Sequence, residues 1–444
     1  LDANELLFVS CRDGGTPNMV DKDAIFLNNG DEEIIESLES SASKGNYNEF
    51  LFKRYSEKGQ ARNPDYIIAE DGIITEDMLR HAKFFNIPIV NIDRSVYEKA
   101  KANIADNLEK GIFIQDETPD FYIYRQVMEG RVQTGIVATV SVDEYMNNTI
   151  KKHEFTRVEK ELDRINHFDV CNTNTEPVFL TYRDDQRIRN LVEGWADEKT
   201  PVYDIITDDG IQHTLWVMDD EQTVDKISGL FKEIPALYIA DGHHRSASAC
   251  KVGLKRREEN PDYTGDEEFN FFMAVIFPDS DLHIFDYNRV VKDLNGNTPD
   301  EFLMKIAMAG FEVQYKGTAI YRPESKHSFG MFLNGAWYKL TAYEDIIPDH
   351  VIDSLDVAIL QNNLLGPVLG IEDPRVDKRI DFVGGIRGLE ELEKRCREDM
   401  TVAFAVYPVD IEDLIGVADA DMVMPPKSTW FEPKLGSGLF MHQL

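Results

Sequence analysis

Cysteine is scarce in this chain. Cys11, Cys171, Cys250 and Cys396 are the four among 444 residues, and no C-x-x-C spacing occurs. Thiols so dispersed build neither a zinc site nor a disulfide framework, and reduced, cytoplasmic thiols are expected. No apolar run approaches the ~20 residues of a membrane span. No basic-then-apolar secretory segment opens the chain. Because the first residue is Leu1, the true start is expected to be missing or processed. Positive charge is in deficit, with 47 Lys+Arg against 81 Asp+Glu and a formal net charge of −34. Such a field repels a polyanion unless one face is strongly basic. The dense basic clusters are short: Lys151-Lys152-His153, Lys255-Arg256-Arg257 and Arg375 to Arg379. This argues against nucleic acid and membrane as partners. A small anion at a local positive site remains compatible. Internal repeats and low-complexity tracts are also lacking.

What is present reads as a mixed α/β protein. A length of 444 residues with 42% apolar content suits two or three domains with real cores. Residues 1–94 form one α/β segment, with strands at Leu6–Ser10, Tyr66–Ala69 and Ile87–Ile92 and a helix over Thr75–Phe85; strand–helix–strand order favours parallel pairing. A second unit is read over 95–264 and a third over 265–444. Phe121–Val127 and Thr134–Val140 flank Glu129-Gly130 as a hairpin, and Val202–Ile206 with Gln212–Val217 form another. Lys151–Asp169, Thr223–Lys232, Pro299–Ala309, 349–370 and Gly388–Glu398 read as helices. Met422 to Leu439 carries too much Pro and Gly for one.

The densest chemistry lies at Asp241-Gly242-His243-His244-Arg245. An apolar run over Pro235–Ala240 stops there and a helical run over Ser246–Arg257 follows. Strand, tight turn and helix N-terminus present free N–H groups to an anion. Gly242 permits close backbone approach. Asp241 can cap the helix or hold a metal such as Mg²⁺. Arg245 can clamp a phosphate with two N–H groups. Packing at a helix start would explain one histidine more readily than this adjacent pair.

Two further clusters carry candidates. In Lys151 to Ile165, if helical, His153, Arg157 and Lys160 share a face, as do Glu154, Val158 and Glu161. The first stripe suits phosphate and Glu154 or Glu159 suits proton acceptance, although a solvated helix laced with ion pairs fits the same pattern. Near the C-terminus, Lys427-Ser428-Thr429, Lys434 and Ser437 suit an anion-binding loop; the glycines of a P-loop are absent before them.

Four stretches together resemble the family catalogued as domain of unknown function 1015: Ile150 to Glu154 with Thr156-Arg157, Glu176 to Leu180, Ala236 to Arg245, and Met424 to Leu439. The resemblance runs from about Tyr97 to Leu444 and leaves out the first ~90 residues. Asp241 to Arg245 is similar to the signature of the ParB/sulfiredoxin-like nucleotide-binding fold, and within it to free-serine kinases. The resemblance implies such a core with additional α/β regions, ATP or ADP as cofactor, and nucleotide phosphates held at Gly242 to Arg245. It implies a carboxylate base elsewhere, for which Glu154 is nominated. ParB-like DNA clamping conflicts with the charge of −34. Sulfiredoxin chemistry conflicts with the position of Cys250, five residues beyond Arg245.

The expected function is Mg²⁺-assisted phosphoryl transfer on a small hydroxy substrate such as serine or phosphoserine. His243 and His244 would stabilise developing charge, Asp241 would bind Mg²⁺ through water, and Gly242, Arg245, Ser246, His153, Lys427 and Lys434 would hold the phosphates. The alternatives are a non-catalytic nucleotide- or metabolite-binding module, a phosphatase, and a metal-dependent hydrolase. The oligomeric state stays open, a homo-oligomer included.

Overall fold

The computed structural model describes residues 6–9, 67–70, 89–92 and 94–444. Its largest sheet has eight strands. In chain order these are β1 (Phe121–Met128), β2 (Arg131–Ser141), β3 (Ile150–Lys151), β4 (Val178–Tyr182), β5 (Tyr203–Ile206), β6 (Gln212–Met218), β7 (Leu237–Asp241) and β8 (Phe271–Pro278). They lie side by side as β5-β6-β1-β2-β8-β4-β7-β3. Pairing is antiparallel except at β8–β4 and β7–β3. The β1–β2 turn places Glu129 and Gly130 at φ 51° and 80°, the twist that two-residue hairpins need.

Both faces of this sheet are covered, so its strands are apolar on both sides. Phe121, Ile123, Leu180, Ile239 and Ala274 point to one face. There they meet α2 (Val158–Cys171), α3 (Gln186–Glu198), α4 (Glu221–Phe231) and α5 (His243–Glu259). A further helix, α1 (Arg94–Glu109), reaches α2 through the Tyr97 hydroxyl, which donates to Asp163 at 2.8 Å. Tyr122, Tyr124, Phe179, Tyr238 and Val275 point to the opposite face, where Phe431, Leu439 and Phe440 of the C-terminal segment cover them. Each large side chain so buried contributes about 1.5–3 kcal/mol. That burial is what straps the Pro- and Gly-rich tail across the sheet.

A second sheet contains β9 (Tyr287–Val291), β10 (Phe311–Gly317), β11 (Ser328–Leu333), β12 (Ala336–Ala342), β13 (Ile380–Gly384) and β14 (Val402–Ala405). Its order is β10-β12-β11-β14-β9-β13 and it is antiparallel throughout. Helices α6 (Pro299–Met308) and α7 (Glu390–Glu398) pack on it through Phe302, Ile306 and Leu392. Helix α8 (Ile411–Asp419) returns to the first sheet through Leu414 and Ile415. The short strands Ile284–Phe285 and Trp430–Phe431 pair antiparallel.

The mixed α/β class expected from the sequence is the observed one. The hairpins and most helices stand within a few residues of their expected bounds, and Ile67–Glu70 pairs parallel with Ile89–Ile92. The helix expected over Thr75–Phe85 lies outside the described residues. The boundary read at 264 falls before β8, a central strand of the first sheet.

Two expectations need correcting. Lys151 lies in edge strand β3, residues 152–157 are not helical, and the helix begins only at Val158. His153, Arg157 and Lys160 therefore form no stripe. The reason is competition for backbone hydrogen bonds. The His153 and Arg157 N–H groups donate to the imidazoles of His243 and His244, and the His153 carbonyl accepts from the Met424 N–H. Residues 349–370 hold only a short α-helix, Asp356–Leu360, followed by a π-turn over Gln361–Leu365.

Candidate functional site

Strand β7 ends at Asp241, and Gly242 turns the chain at φ 98°. A left-handed conformation of that kind is open to glycine with little penalty. Helix α5 starts directly after it. Gly242 itself is the N-cap, and no side chain caps the helix, so Asp241 does not take the expected capping role. Instead its carboxylate lies 3.4 Å from Lys434 Nζ and 4.0 Å from Arg245 Nη2. Burial opposes its charge, but Lys434 and Arg245 hold its pKa below the ordinary value.

The other residues of the motif divide between pocket and scaffold. The Arg245 guanidinium donates through Nη1 to the Pro177 carbonyl at 2.5 Å and lies 3.6 Å from Glu176, so one arm of its fork is committed within the protein. The Ser246 hydroxyl is fully buried and donates to the Gly242 carbonyl at 3.2 Å. His244 Nε2 accepts from the Arg157 N–H at 2.9 Å, which turns that ring toward residues 152–157. His243 is 4% exposed, and its Nε2 accepts from the His153 N–H at 3.4 Å. An accepting Nε2 leaves the proton on Nδ1, which lies 3.7 Å from Glu154 Oε2. Burial holds the pKa values of both imidazoles below the ordinary histidine value. They are neutral at pH 7 and bring no full positive charge to a transition state.

Beside Asp241 opens a cavity of ≈ 110 Å³. His153, Glu154 and Asp241 line one side; Lys427, Ser428, Thr429 and Lys434 of the C-terminal strap line the other, with Tyr287 and Trp430 between. Lys427 Nζ sits 5.4 Å from the Tyr287 ring centre and Lys434 Nζ 5.1 Å from that of Trp430. The two rings meet edge to face at 5.0 Å. Such cation–π contacts hold an ammonium without neutralising it.

Two groups in this pocket stand out energetically. His153 is 1% exposed, yet neither ring nitrogen makes a hydrogen bond of good geometry. Burial lowers its pKa to about 4. A buried polar group without a partner is unusual and costs ~1–3 kcal/mol, and an occupant of the cavity would satisfy it. Glu154 has a side chain 42% exposed. Partial burial at the cavity wall still raises its pKa, against the opposing pull of Lys427.

The strap is fixed from both sheets. The Gln126 amide donates to the Lys434 carbonyl at 2.7 Å, and the Gly436 N–H donates to the Tyr124 hydroxyl at 3.1 Å. On the far side the Lys427 carbonyl accepts from Arg289 at 3.1 Å.

The structure thus brings His153, Glu154, Asp241, Lys427 and Lys434 to one cavity, with His243 behind Glu154. It places Ser246, His244 and the Arg245 guanidinium in supporting contacts. Tyr287 and Trp430 were not expected. Tyr287 belongs to a strand of the second sheet, and no local pattern marks it. Trp430 carries no local signal either; it stacks where Gly384 leaves room, since a Cβ there would stand 2.8 Å from the indole. Among the described residues no three His, Cys, Asp or Glu side chains group as metal ligands. Asp241 already shares its charge with two cations. These residues do not fit a protein-held Mg²⁺.

Among curated proteins, none matches the chain. Solved structures with some likeness include a free serine kinase in complex with AMP, at 13% identity and a TM-score of 0.35, covering 68% of this chain and 92% of that one. A conserved hypothetical protein from Pyrococcus furiosus has 15% identity and a TM-score of 0.34, with 68% and 93% covered. C-terminally truncated SbnI from Staphylococcus aureus has 11% identity and a TM-score of 0.36, with 68% and 85% covered. Likenesses at this level assign no role to any residue here. The family model described as "Protein of unknown function (DUF1015)" matches residues 85–358. That is more than half of the chain, ending before the strap that completes the pocket, and the chain belongs to this family.

Proposed function

We propose that this pocket transfers a phosphoryl group between a nucleotide, ATP or ADP, and a small hydroxy compound. The observation that carries the reading is the single cavity that joins Lys427 and Lys434 to Glu154 and to His153, whose buried ring makes no well-aligned hydrogen bond. Lys427 and Lys434 bracket the phosphate. The helix N-terminus beginning at Gly242 adds partial positive charge beside Asp241. Glu154, with its raised pKa, accepts the proton of the attacking hydroxyl, since a base works best when its pKa is drawn toward the operating pH. Neutral His243 stands behind Glu154 with Nδ1 3.7 Å from Oε2, so its N–H dipole faces the carboxylate. His153 offers the occupant a ring nitrogen that the fold satisfies poorly.

Size narrows the substrate. A cavity of ≈ 110 Å³ is well below the ~300–1,000 Å³ of drug-sized pockets. It suits a phosphate with a compound of a few carbons, so the nucleotide's base and ribose would lie outside it. The same volume favours a second reading: a phosphatase acting on a small phosphomonoester, with water in place of the hydroxyl.

Phosphorus NMR tests both. The protein would be mixed with Mg²⁺ and ATP or ADP plus serine, and separately with phosphoserine alone; serine and phosphoserine are the first pair to try. A new phosphoester that disappears in Glu154→Gln supports transfer. Inorganic phosphate from phosphoserine alone supports the phosphatase reading. Broadened nucleotide lines with no turnover would indicate a binding module, and sharp, unchanged spectra would refute the nucleotide.

A further inference from the structure

Arg289 is 3% exposed in the middle of β9. A buried guanidinium is expensive unless its charge is compensated, and among the described residues Arg289 pairs with no carboxylate. It donates instead to two carbonyls, those of Tyr287 and Lys427. Its flat face lies 5.5 Å from the centre of the Phe382 ring, the residue opposite it on β13.

Residues two apart on a strand share a face, so Tyr287 and Arg289 project together. Lys427 meets both. Its ammonium lies over the Tyr287 ring, and its main-chain carbonyl is held by Arg289. Lys427 is also a non-glycine residue at φ 59°, a conformation that costs an L-residue ~1–2 kcal/mol and persists only where neighbours impose it. One face of one strand therefore grips the strained turn, which the Ser428 hydroxyl also closes by donating to the Pro425 carbonyl at 2.6 Å, and receives the side chain.

We infer that Arg289 is a positioning residue for the pocket: it holds the Lys427 backbone in the left-handed turn that aims the Lys427 ammonium across Tyr287 into the cavity. The consequence for ligand binding rests on the phosphate role proposed for Lys427; the positioning itself does not. Arg289 touches no substrate in this scheme. It couples the second sheet to a site whose other half belongs to the first.

Hydrogen exchange and phosphate binding on the full chain test this. In Arg289→Gln, exchange across residues 424–431 should rise about tenfold, equivalent to ~1.4 kcal/mol of local stability. Residues 434–443, held by Gln126 and Tyr124, should stay within about twofold of the wild type by the same measure. Arg289→Lys keeps the charge but lacks the planar fork whose separate Nη1 and Nη2 reach the Tyr287 and Lys427 carbonyls, so it should loosen the same segment; it also serves if the glutamine variant fails to fold. Equal loosening of both segments would mean general destabilisation, and loosening of neither would mean no hold on Lys427. Either result overturns the assignment. With inorganic phosphate as probe, Arg289→Gln should weaken binding about tenfold, and the loss should vanish in a Lys427→Met background. Additive losses would again overturn the inference. If the wild type binds neither inorganic phosphate nor ADP, the phosphate reading of the pocket fails, while the exchange data still decide the role of Arg289.

Discussion

Replacing His153 by leucine should make the protein more stable and unable to bind its ligand. The imidazole is 1% exposed, and its ring nitrogens make no well-aligned hydrogen bond, only a poor contact with the Ile239 backbone. An apolar side chain of similar size recovers much of the ~1–3 kcal/mol that an unsatisfied buried polar group costs. A gain of ~1–2 kcal/mol at pH 7.5 is expected, a few degrees in the unfolding midpoint. Acid should enlarge it. In the folded state burial lowers the His153 pKa from 6.5 to about 4. Between those values the unfolded chain binds a proton that the folded chain refuses. The wild type therefore holds its full stability above pH 6.5 and loses part of it as the pH falls toward 4. At ~1.36 kcal/mol per unit this is about 3 kcal/mol. Leucine does not titrate, so the gap between variant and wild type should widen from ~1–2 kcal/mol at pH 7.5 to ~4–5 kcal/mol at pH 4. His243, whose ring lies 4.5 Å from that of His153 and whose pKa His153 helps to lower, titrates in both proteins, and relief of that coupling in the variant adds to the gap in the same direction. Urea unfolding followed by circular dichroism at pH 7.5, 5.5 and 4, at matched ionic strength, measures the gap. A variant less stable than the wild type at pH 7.5, or a gap independent of pH, would refute the reasoning and make His153 an ordinary, satisfied core histidine.

Asp356 should show the opposite pH dependence. One of its oxygens accepts from the His327 N–H at 2.8 Å, the other has no partner, and burial raises its pKa to about 7. The folded state thus holds the proton more tightly than the unfolded chain, and stability falls as the pH rises from about 4 to about 7. Asp356→Asn should be more stable than the wild type by ~2–4 kcal/mol at pH 8 and similar to it at pH 4; a constant difference in thermal unfolding would contradict this. Glu154→Gln should lower the transfer rate by ~10²–10⁴ and leave phosphate affinity intact, as read by rate assays and calorimetry; an unchanged rate removes Glu154 as the base. Lys434→Met should weaken phosphate binding about tenfold and raise the Asp241 pKa, because Lys434 is the strongest of the charges holding it down. Carboxylate NMR titration and calorimetry would read both, and an unmoved Asp241 would contradict the pairing.

Local chemistry made much of this protein legible. The run at 235–257 changes from continuous apolar residues to helical spacing at Asp241-Gly242, and strand, left-handed glycine and helix stand there as the pattern requires. Glu129-Gly130 announced its hairpin through the positive φ such turns demand. Residue type alone nominated His153, Glu154, Asp241, Lys427 and Lys434, since phosphate chemistry needs cations, a base and hydrogen-bond donors.

Other features depend on partners far away in the chain. Residues 152–157 look helical by their ion-pair spacing, but imidazoles some 90 positions later take their backbone N–H groups. Arg245 looks like a phosphate clamp, and spacing could not show that the Pro177 carbonyl takes one arm of its guanidinium. Tyr287, Trp430 and Arg289 acquire meaning only when the second sheet meets the tail. Residue type and spacing by themselves determined which groups were chemically competent and where strands, turns and helices would form, because those preferences act over a few residues. Only the tertiary structure decided which competent groups share a cavity and which are consumed as scaffold, because each donor and acceptor can be claimed by any partner that folding brings within about 3 Å.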